Sequence, residues 1–214
     1  MILAHRGGVG KTQIRENTLQ AFDRAMENAH IDGIECDLRL TVDGIVVIHH
    51  DHRLSDGRAI ASLEWKELPH YVPTLQDLLR RASARNYKGI LNLEIKTYNT
   101  LKLVIPIIRK FPQIKASQIL LSSFLHREIE CLPPEIEHMR GIIMACQPYG
   151  AFGDFVQNRD IKLILRESAI DWKDPVVSLS LQCMAKNVFL WTVNDAKRIT
   201  QLRKRGFNII TDCV

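Results

Sequence analysis

Two short apolar runs carry charge where a strand packed inside a protein is ordinarily apolar. In residues 33–38, Gly-Ile-Glu-Cys-Asp-Leu, the carboxylates Glu35 and Asp37 stand two apart. On a strand both then point to one face, and Ile34, Cys36 and Leu38 point to the other. In residues 91–96 the same spacing joins Glu94 to Lys96 and turns Leu93 and Ile95 away. Carboxylates gathered in a buried place cannot all stay ionised without a cation among them. A donor set made only of oxygens favours Mg2+ or Ca2+ over zinc. The alternative is a buried salt-bridge cluster completed by Lys96 and Arg39. Two histidines add proton chemistry. His5 ends the first apolar run beside Arg6, and His50 lies within His49-His50-Asp51-His52. Imidazole is the side chain best suited to carrying a proton near neutral pH. A general acid and a general base facing each other across a metal-held phosphate would form a phosphodiesterase site.

Strand patterns fall at 1–5, 34–40, 90–96, 118–123, 140–145, 161–165, 188–193 and 208–211, and helical spacing at 18–28, 75–85, 101–111, 174–186 and 195–205. Thr74 and Asn194 or Asp195 stand where helix caps belong, and Gly206 stands at a natural helix stop. Residues 45–49, after Asp43-Gly44, form the return arm of a hairpin that extends the second strand. Eight strands separated mostly by helices predict an α/β chain, folded as a compact (β/α)8 TIM barrel with its chemistry at the C-terminal rim. A doubly wound open sheet is the alternative topology. No linker, repeat or low-complexity segment divides the chain, so residues 1–214 are expected to form a single domain. The last strand ends just before Val214, and no final helix is expected. The outer faces of the first and last strands would then need cover from an N-terminal loop, the penultimate helix or the second subunit of a homodimer.

Composition narrows the function classes. Hydrophobic residues are 46% and charged residues 25% of the chain, values of an ordinary globular core. The net charge of +5, from 29 basic and 24 acidic residues, suits an anionic small-molecule ligand. No arginine-rich run or aromatic–basic interleaving marks a nucleic-acid partner. No run of about 18 apolar residues marks stable membrane insertion. Five scattered cysteines with no Cys-x-x-Cys pair, and no signal-peptide pattern, point to a cytoplasmic protein with reduced thiols. The stretch from Arg6 to Thr12 has the look of a glycine-rich nucleotide loop ending in Gly10-Lys11-Thr12. That pattern, however, wants glycine where His5 stands, and no apolar strand ends in the simple aspartate that would hold magnesium.

Taken in order, the distinctive blocks match a known family. They are Ala4-His5-Arg6-Gly7, Glu16-Asn17-Thr18 with Ala21-Phe22, Gly33-Ile34-Glu35-Cys36-Asp37, Asp43-Gly44 before His50-Asp51, Pro73-Thr74-Leu75 and Leu93-Glu94-Ile95-Lys96. Ser122-Ser123-Phe124, Trp191-Thr192-Val193-Asn194 and Ile210-Thr211-Asp212 follow. Over almost its whole length the chain resembles the glycerophosphodiester phosphodiesterases, which belong with the phospholipase-C-like barrels. The resemblance implies that His5 and His50 are the paired acid and base, and that Glu35, Asp37 and Glu94 hold one divalent cation, Mg2+ or Ca2+. It further implies that Arg6 and Lys96 neutralise phosphate oxygens, that Glu16 and Asn17 support them, and that Trp191 covers the substrate at the pocket mouth. The substrate would be a glycerophosphodiester, and the products sn-glycerol 3-phosphate and an alcohol. Trp191 also fits the barrel core, and Ser123 fits either the pocket wall or a hydrogen-bonded strand end. Between His50 and Pro73 the chain is shorter than the resemblance implies. A more open mouth would admit lysophospholipids or other bulky diesters, and a non-catalytic phosphate-binding barrel is a further alternative. His49 and His52 flank His50, and the alignment of Asp43-Gly44 and Asp51 favours His50.

Overall fold

The structure is a computed structural model and describes residues 1–133, 136, 140–146 and 161–214. Its strands are β1 (Ile2–Ala4), β2 (Gly33–Leu40), β3 (Val46–Ile48), β4 (Ile90–Ile95), β5 (Ile119–Ser123), β6 (Arg140–Met144), β7 (Lys162–Arg166), β8 (Val188–Trp191) and β9 (Asn208–Thr211). The helices among the described residues are α1 (Leu19–Glu27), α2 (Leu75–Ala84), α3 (Leu101–Arg109), α4 (His126–Glu130), α5 (Pro175–Cys183) and α6 (Ala196–Lys204). β1 pairs in parallel with β2, placing Ala4 opposite Ile34, and with β9, placing Ala4 opposite Thr211. That double pairing closes the eight parallel strands into a barrel and excludes the open sheet. β3 folds back antiparallel on β2, with Leu38 opposite Ile48 and Leu40 opposite Val46, as the Asp43-Gly44 turn predicts.

The strand period of two sorts side chains to the two sides of the barrel wall. On the outer side Ile34, Cys36, Leu38, Leu93 and Ile95 pack against Phe22 of α1, Leu75, Leu78 and Leu79 of α2 and Val104 of α3. On the far side Leu163, Leu165, Val188, Leu190 and Ile209 pack against Leu181 of α5 and Leu202 of α6. Inside the barrel Leu3, Leu120, Ile143, Ile164, Phe189 and Ile210 form a separate apolar layer. The inner positions of β2 and β4 hold Glu35, Asp37 and Glu94 instead. The helices that carry the outer layer start at side-chain caps. Thr74 and Asp77 cap α2 reciprocally, and Asp195 rather than Asn194 accepts from the Arg198 N–H at 2.7 Å.

Cover over β1 and β9 comes from the loop after β1 together with α6, whose Leu202 packs with Ile209. Val9 bridges to Cys213, and Arg24 of α1 donates to the carbonyls of Gly8, at 2.9 Å, and of Val214. Ala4, Ile209 and Thr211 are fully buried within one chain. No helix among the described residues is long and apolar enough to cross a membrane.

Gly33 sits where β2 meets both β1 and β4, and a Cβ there would lie 2.5 Å from the Ile90 carbonyl oxygen and 2.7 Å from Leu3 Cδ2. Backbone cannot yield as a flexible side chain does, so Gly33→Ala is expected to destabilise the fold by about 2 kcal/mol in urea unfolding. A change below about 0.5 kcal/mol, the range of neutral surface substitutions, would contradict the tight packing at this seam.

Candidate active site

The register of β2 on β4 places Asp37 beside Glu94 and Glu35 beside Asn92, all toward the barrel interior. Glu35, Asp37 and Glu94 are 3%, 1% and 8% exposed, and one oxygen from each lies within 4.8 Å of the others. Two cations answer them. Lys96 Nζ lies 2.7 Å from Glu94 Oε1 and 3.1 Å from Asp37 Oδ1, and Arg6 Nε lies 3.3 Å from Asp37 Oδ2. Asn17 Nδ2 donates to Asp37 Oδ2 at 2.8 Å. Burial works against the Asp37 charge, but Lys96, Arg6 and Asn17 prevail and hold its pKa below the usual carboxylate value. Glu35 is less well served. Its Oε2 accepts the Arg6 backbone N–H at 3.0 Å, and its Oε1 is buried with no hydrogen-bond partner. Burial, reinforced by the Asp37 charge, pushes its pKa up to about 8. Burial and Asp37 likewise raise Glu94 against the pull of Lys96.

An orphaned carboxylate oxygen beside two further carboxylates is the donor set a hard divalent cation takes, so the residues fit such an ion. Lys96 is part of the salt-bridge cluster that the sequence offered as the alternative, whereas Arg39 is not. Arg39 Nε donates to the carbonyl of His50 at 2.8 Å and so fixes the loop after β3.

Both predicted histidines reach the same cavity, of about 80 Å3, together with Arg6, Glu35, Glu94 and Lys96. His5 lies on the turn that ends β1. Its Nδ1 is 2.6 Å from Asp212 Oδ1, and its Nε2 is 3.9 Å from Glu35 Oε2. A carboxylate only accepts, so Nδ1 carries the hydrogen and Nε2 is left for the cavity. Burial lowers the basicity of His5, but Asp212 and Glu35 outweigh it and the pKa is raised. His50 is oriented in the same way, with Nδ1 2.8 Å from Asp51 Oδ1. Burial, with the charges of Arg6 and Lys96, lowers its pKa against Asp37. The flanking histidines do other work. The His49 ring bonds the Asp51 carbonyl and its backbone N–H bonds the Asp37 carbonyl, and the His52 carbonyl accepts from Ile60.

Glu16 pairs with Arg6 at 2.8 Å, and Asn17 returns its N–H to the Arg6 carbonyl at 2.9 Å. Both Arg6 and Asn17 take left-handed backbone, with φ of 51° and 55°. Trp191 lines the cavity and also packs on the inner apolar layer, the barrel-core position expected for it. Its ring meets Phe124 edge-on at 5.9 Å. Ser123 is fully buried and donates to the Ile95 carbonyl at 2.6 Å, so it ends a strand and does not line the pocket. Asp212, Asp51 and Phe124 are the members of this constellation to which sequence reasoning gave no role. All three lie within or beside the matched blocks, and an acid directly after a strand or after a histidine was the available signal. Asp212 is itself gripped by Asn194, whose Nδ2 donates to Asp212 Oδ2 at 2.8 Å. The glycine-rich loop opens no helix: α1 starts only at Leu19, Lys11 is exposed, and Val9 is occupied by its bridge to Cys213.

Residues 5–214 match the model of the Glycerophosphoryl diester phosphodiesterase family. The protein YqiK of Bacillus subtilis is 31% identical in an alignment that covers 64% of this chain and 64% of that protein. A glycerophosphodiester phosphodiesterase of Caldanaerobacter subterraneus is 28% identical over 99% of this chain and 93% of its own length. Among solved structures, a glycerophosphodiester phosphodiesterase of Thermotoga maritima superposes with a TM-score of 0.81 at 26% identity, covering 99% of this chain and 93% of that one. A phosphodiesterase of Oleispira antarctica, solved in complex with the product sn-glycerol-3-phosphate, gives 0.80 at 25% identity over 99% of this chain and 92% of that one.

Removing the ammonium that answers Asp37 and Glu94 leaves buried negative charge unpaired. Lys96→Met is therefore expected to cost about 3 kcal/mol of stability, measured by denaturant unfolding in EDTA. Unchanged stability would show that Lys96 does not carry the electrostatic balance of the cluster.

Proposed function

The chain belongs to the glycerophosphoryl diester phosphodiesterase family, a family of phosphoric diester hydrolases, and on that premise we propose that it hydrolyses a glycerophosphodiester to sn-glycerol 3-phosphate and an alcohol. In this reading the reaction depends on one divalent cation, Mg2+ or Ca2+, and on His5 and His50 as paired proton carriers. The observation that carries it is the meeting, in one cavity, of two imidazoles each oriented by its own carboxylate with a buried carboxylate cluster that has an orphaned oxygen.

Glu35, Asp37 and Glu94 would hold the cation, which when bound draws electron density from phosphorus and offsets charge in the transition state. Arg6 and Lys96 line the same cavity, where a guanidinium and an ammonium neutralise the non-bridging phosphate oxygens. Glu16 and Asn17 support that shell: Glu16 holds the Arg6 guanidinium, and Asn17 holds Asp37. One imidazole Nε2 takes the proton of the attacking water as its oxygen bonds phosphorus. The other gives a proton to the departing alcohol oxygen as its bond to phosphorus breaks. Trp191, with Phe124 against its edge, forms the aromatic wall over the substrate and keeps bulk water from that side. The Oleispira antarctica relative, holding sn-glycerol-3-phosphate, supports the choice of product. The five cysteines are all free thiols, which suits a reducing cytoplasm.

The test is release of glycerol 3-phosphate from glycerophosphoglycerol with Mg2+, with Ca2+ and with EDTA. Release is expected with at least one of the metals and not with EDTA. His5→Ala and His50→Ala are each expected to lower kcat by about 10²–10⁴-fold while the thermal midpoint stays near that of the unaltered protein. Absence of release under every condition would refute the reading and favour a phosphate-binding barrel, whereas near-native rates in both variants would refute the paired-histidine mechanism alone.

A further inference from the structure

A second cavity, of about 190 Å3, opens between the loop after β1 and the loop after β3. His50 lines both cavities, so the second lies directly beside the first. Its charged walls are Arg15, Glu16, Asp51 and Arg53. Three of these four already have partners. Glu16 accepts from Arg6 at 2.8 Å, Asp51 is 2.8 Å from His50 Nδ1, and Arg53 donates to the Gly57 carbonyl at 2.7 Å. The Arg15 guanidinium differs from them. Among the described residues it has no ion pair and no side-chain hydrogen bond, and it stands 4.1 Å over the ring centre of Tyr71. Arg15 and Tyr71 also line the adjoining hollow of about 630 Å3, so the space beyond His50 continues past them and is not closed by them.

This arrangement has a definite preference. An exposed tyrosine face is what a quaternary ammonium group would seek, but here the face is already covered by a guanidinium. The same ring holds the guanidinium in place, with its hydrogen-bond fork unspent and matched in geometry to a carboxylate or a phosphate. Resting on the hydrolase reading above, we infer that the leaving alcohol passes His50 into the second cavity and that Arg15, braced on Tyr71, is a specificity residue there: it selects glycerophosphodiesters whose leaving alcohol carries an anionic group and disfavours those with a choline-like cation. Arg15 lies outside the cluster that would handle the phosphate under attack, so it acts on the choice of substrate and not on the chemical step.

Three diesters separate the possibilities: bis(glycerophospho)glycerol, with an anionic leaving group; glycerophosphoglycerol, with a neutral one; and glycerophosphocholine, with a cationic one. The unaltered protein is expected to show kcat/KM in that descending order, with the anionic substrate about tenfold above the neutral one, the size of one partly screened charge pair. Arg15→Gln is expected to bring the anionic substrate down to the level of the neutral one, mainly through KM, and to change the neutral one less than twofold. Arg15→Lys retains part of the preference, and Arg15→Glu inverts it in favour of glycerophosphocholine. Turnover of all three without charge preference, or an equal loss on all three in Arg15→Gln, overturns this inference and leaves the hydrolase reading standing. No turnover of any of the three by the unaltered protein overturns both.

Discussion

The interior of this barrel holds three carboxylates against two fixed cations, and most of the surrounding structure answers that imbalance. β2 and β4 are the strands that bring Asp37 and Glu94 side by side, and their register also places Lys96 where its ammonium touches both. Arg6 meets Asp37 only because its backbone turns left-handed at the end of β1, which also directs its N–H at Glu35. Even so Glu35 keeps one buried oxygen unanswered. A buried, unpaired acceptor is costly, and a bound ion is one occupant that offsets the cost. A divalent cation is the occupant that this donor set fits.

Barrel closure supplies the other half of the site. Asp212 and His5 are 207 residues apart in the chain, yet they lie at the ends of neighbouring strands because β9 pairs with β1. The bond that orients the imidazole therefore depends on the seam that closes the fold. The same seam is secured by the loop after β1, through the Val9–Cys213 bridge and the grip of Arg24 on Gly8 and Val214. On the strand next to β1, the β2–β3 hairpin carries His50 and Asp51 to the rim, and Arg39 of β2 holds the His50 carbonyl. Each histidine is thus positioned by an element next to the carboxylate cluster and fixed by an acid of its own. The inner apolar layer of Leu3, Leu120, Ile143, Ile164, Phe189 and Ile210 fills the rest of the interior and so keeps the charged groups to one side.

The parts of this arrangement that follow a local period were legible in the sequence. The i, i+2 spacing of Glu35 with Asp37 and of Glu94 with Lys96 assigns their face, the Asp43-Gly44 turn assigns the hairpin, and Thr74 assigns the start of α2. Asp212 as the partner of His5 was not legible in this way, because only strand order and closure bring the two together. Arg39 was misassigned for a related reason. On β2 it shares the inner parity of Glu35 and Asp37, but it stands past the last β2–β4 pair, where the hairpin offers the His50 carbonyl first. Cover of the last strand by the loop after β1 depends on a bridge between the two ends of the chain, which no window of sequence contains. The stacking of Arg15 on Tyr71 joins two loops 56 positions apart, and composition gives no sign of it.

The three carboxylates either hold a cation or form a closed salt-bridge cluster, and cation binding decides between the two. Calorimetric titration of the protein with Mg2+ and with Ca2+ addresses it without any substrate. The account predicts one ion bound per chain for at least one of the two metals, with affinity weakened at least about tenfold in Glu35→Gln, which replaces the ligand carrying the orphaned oxygen. No binding to the unaltered protein, or equal affinity in Glu35→Gln, would contradict it.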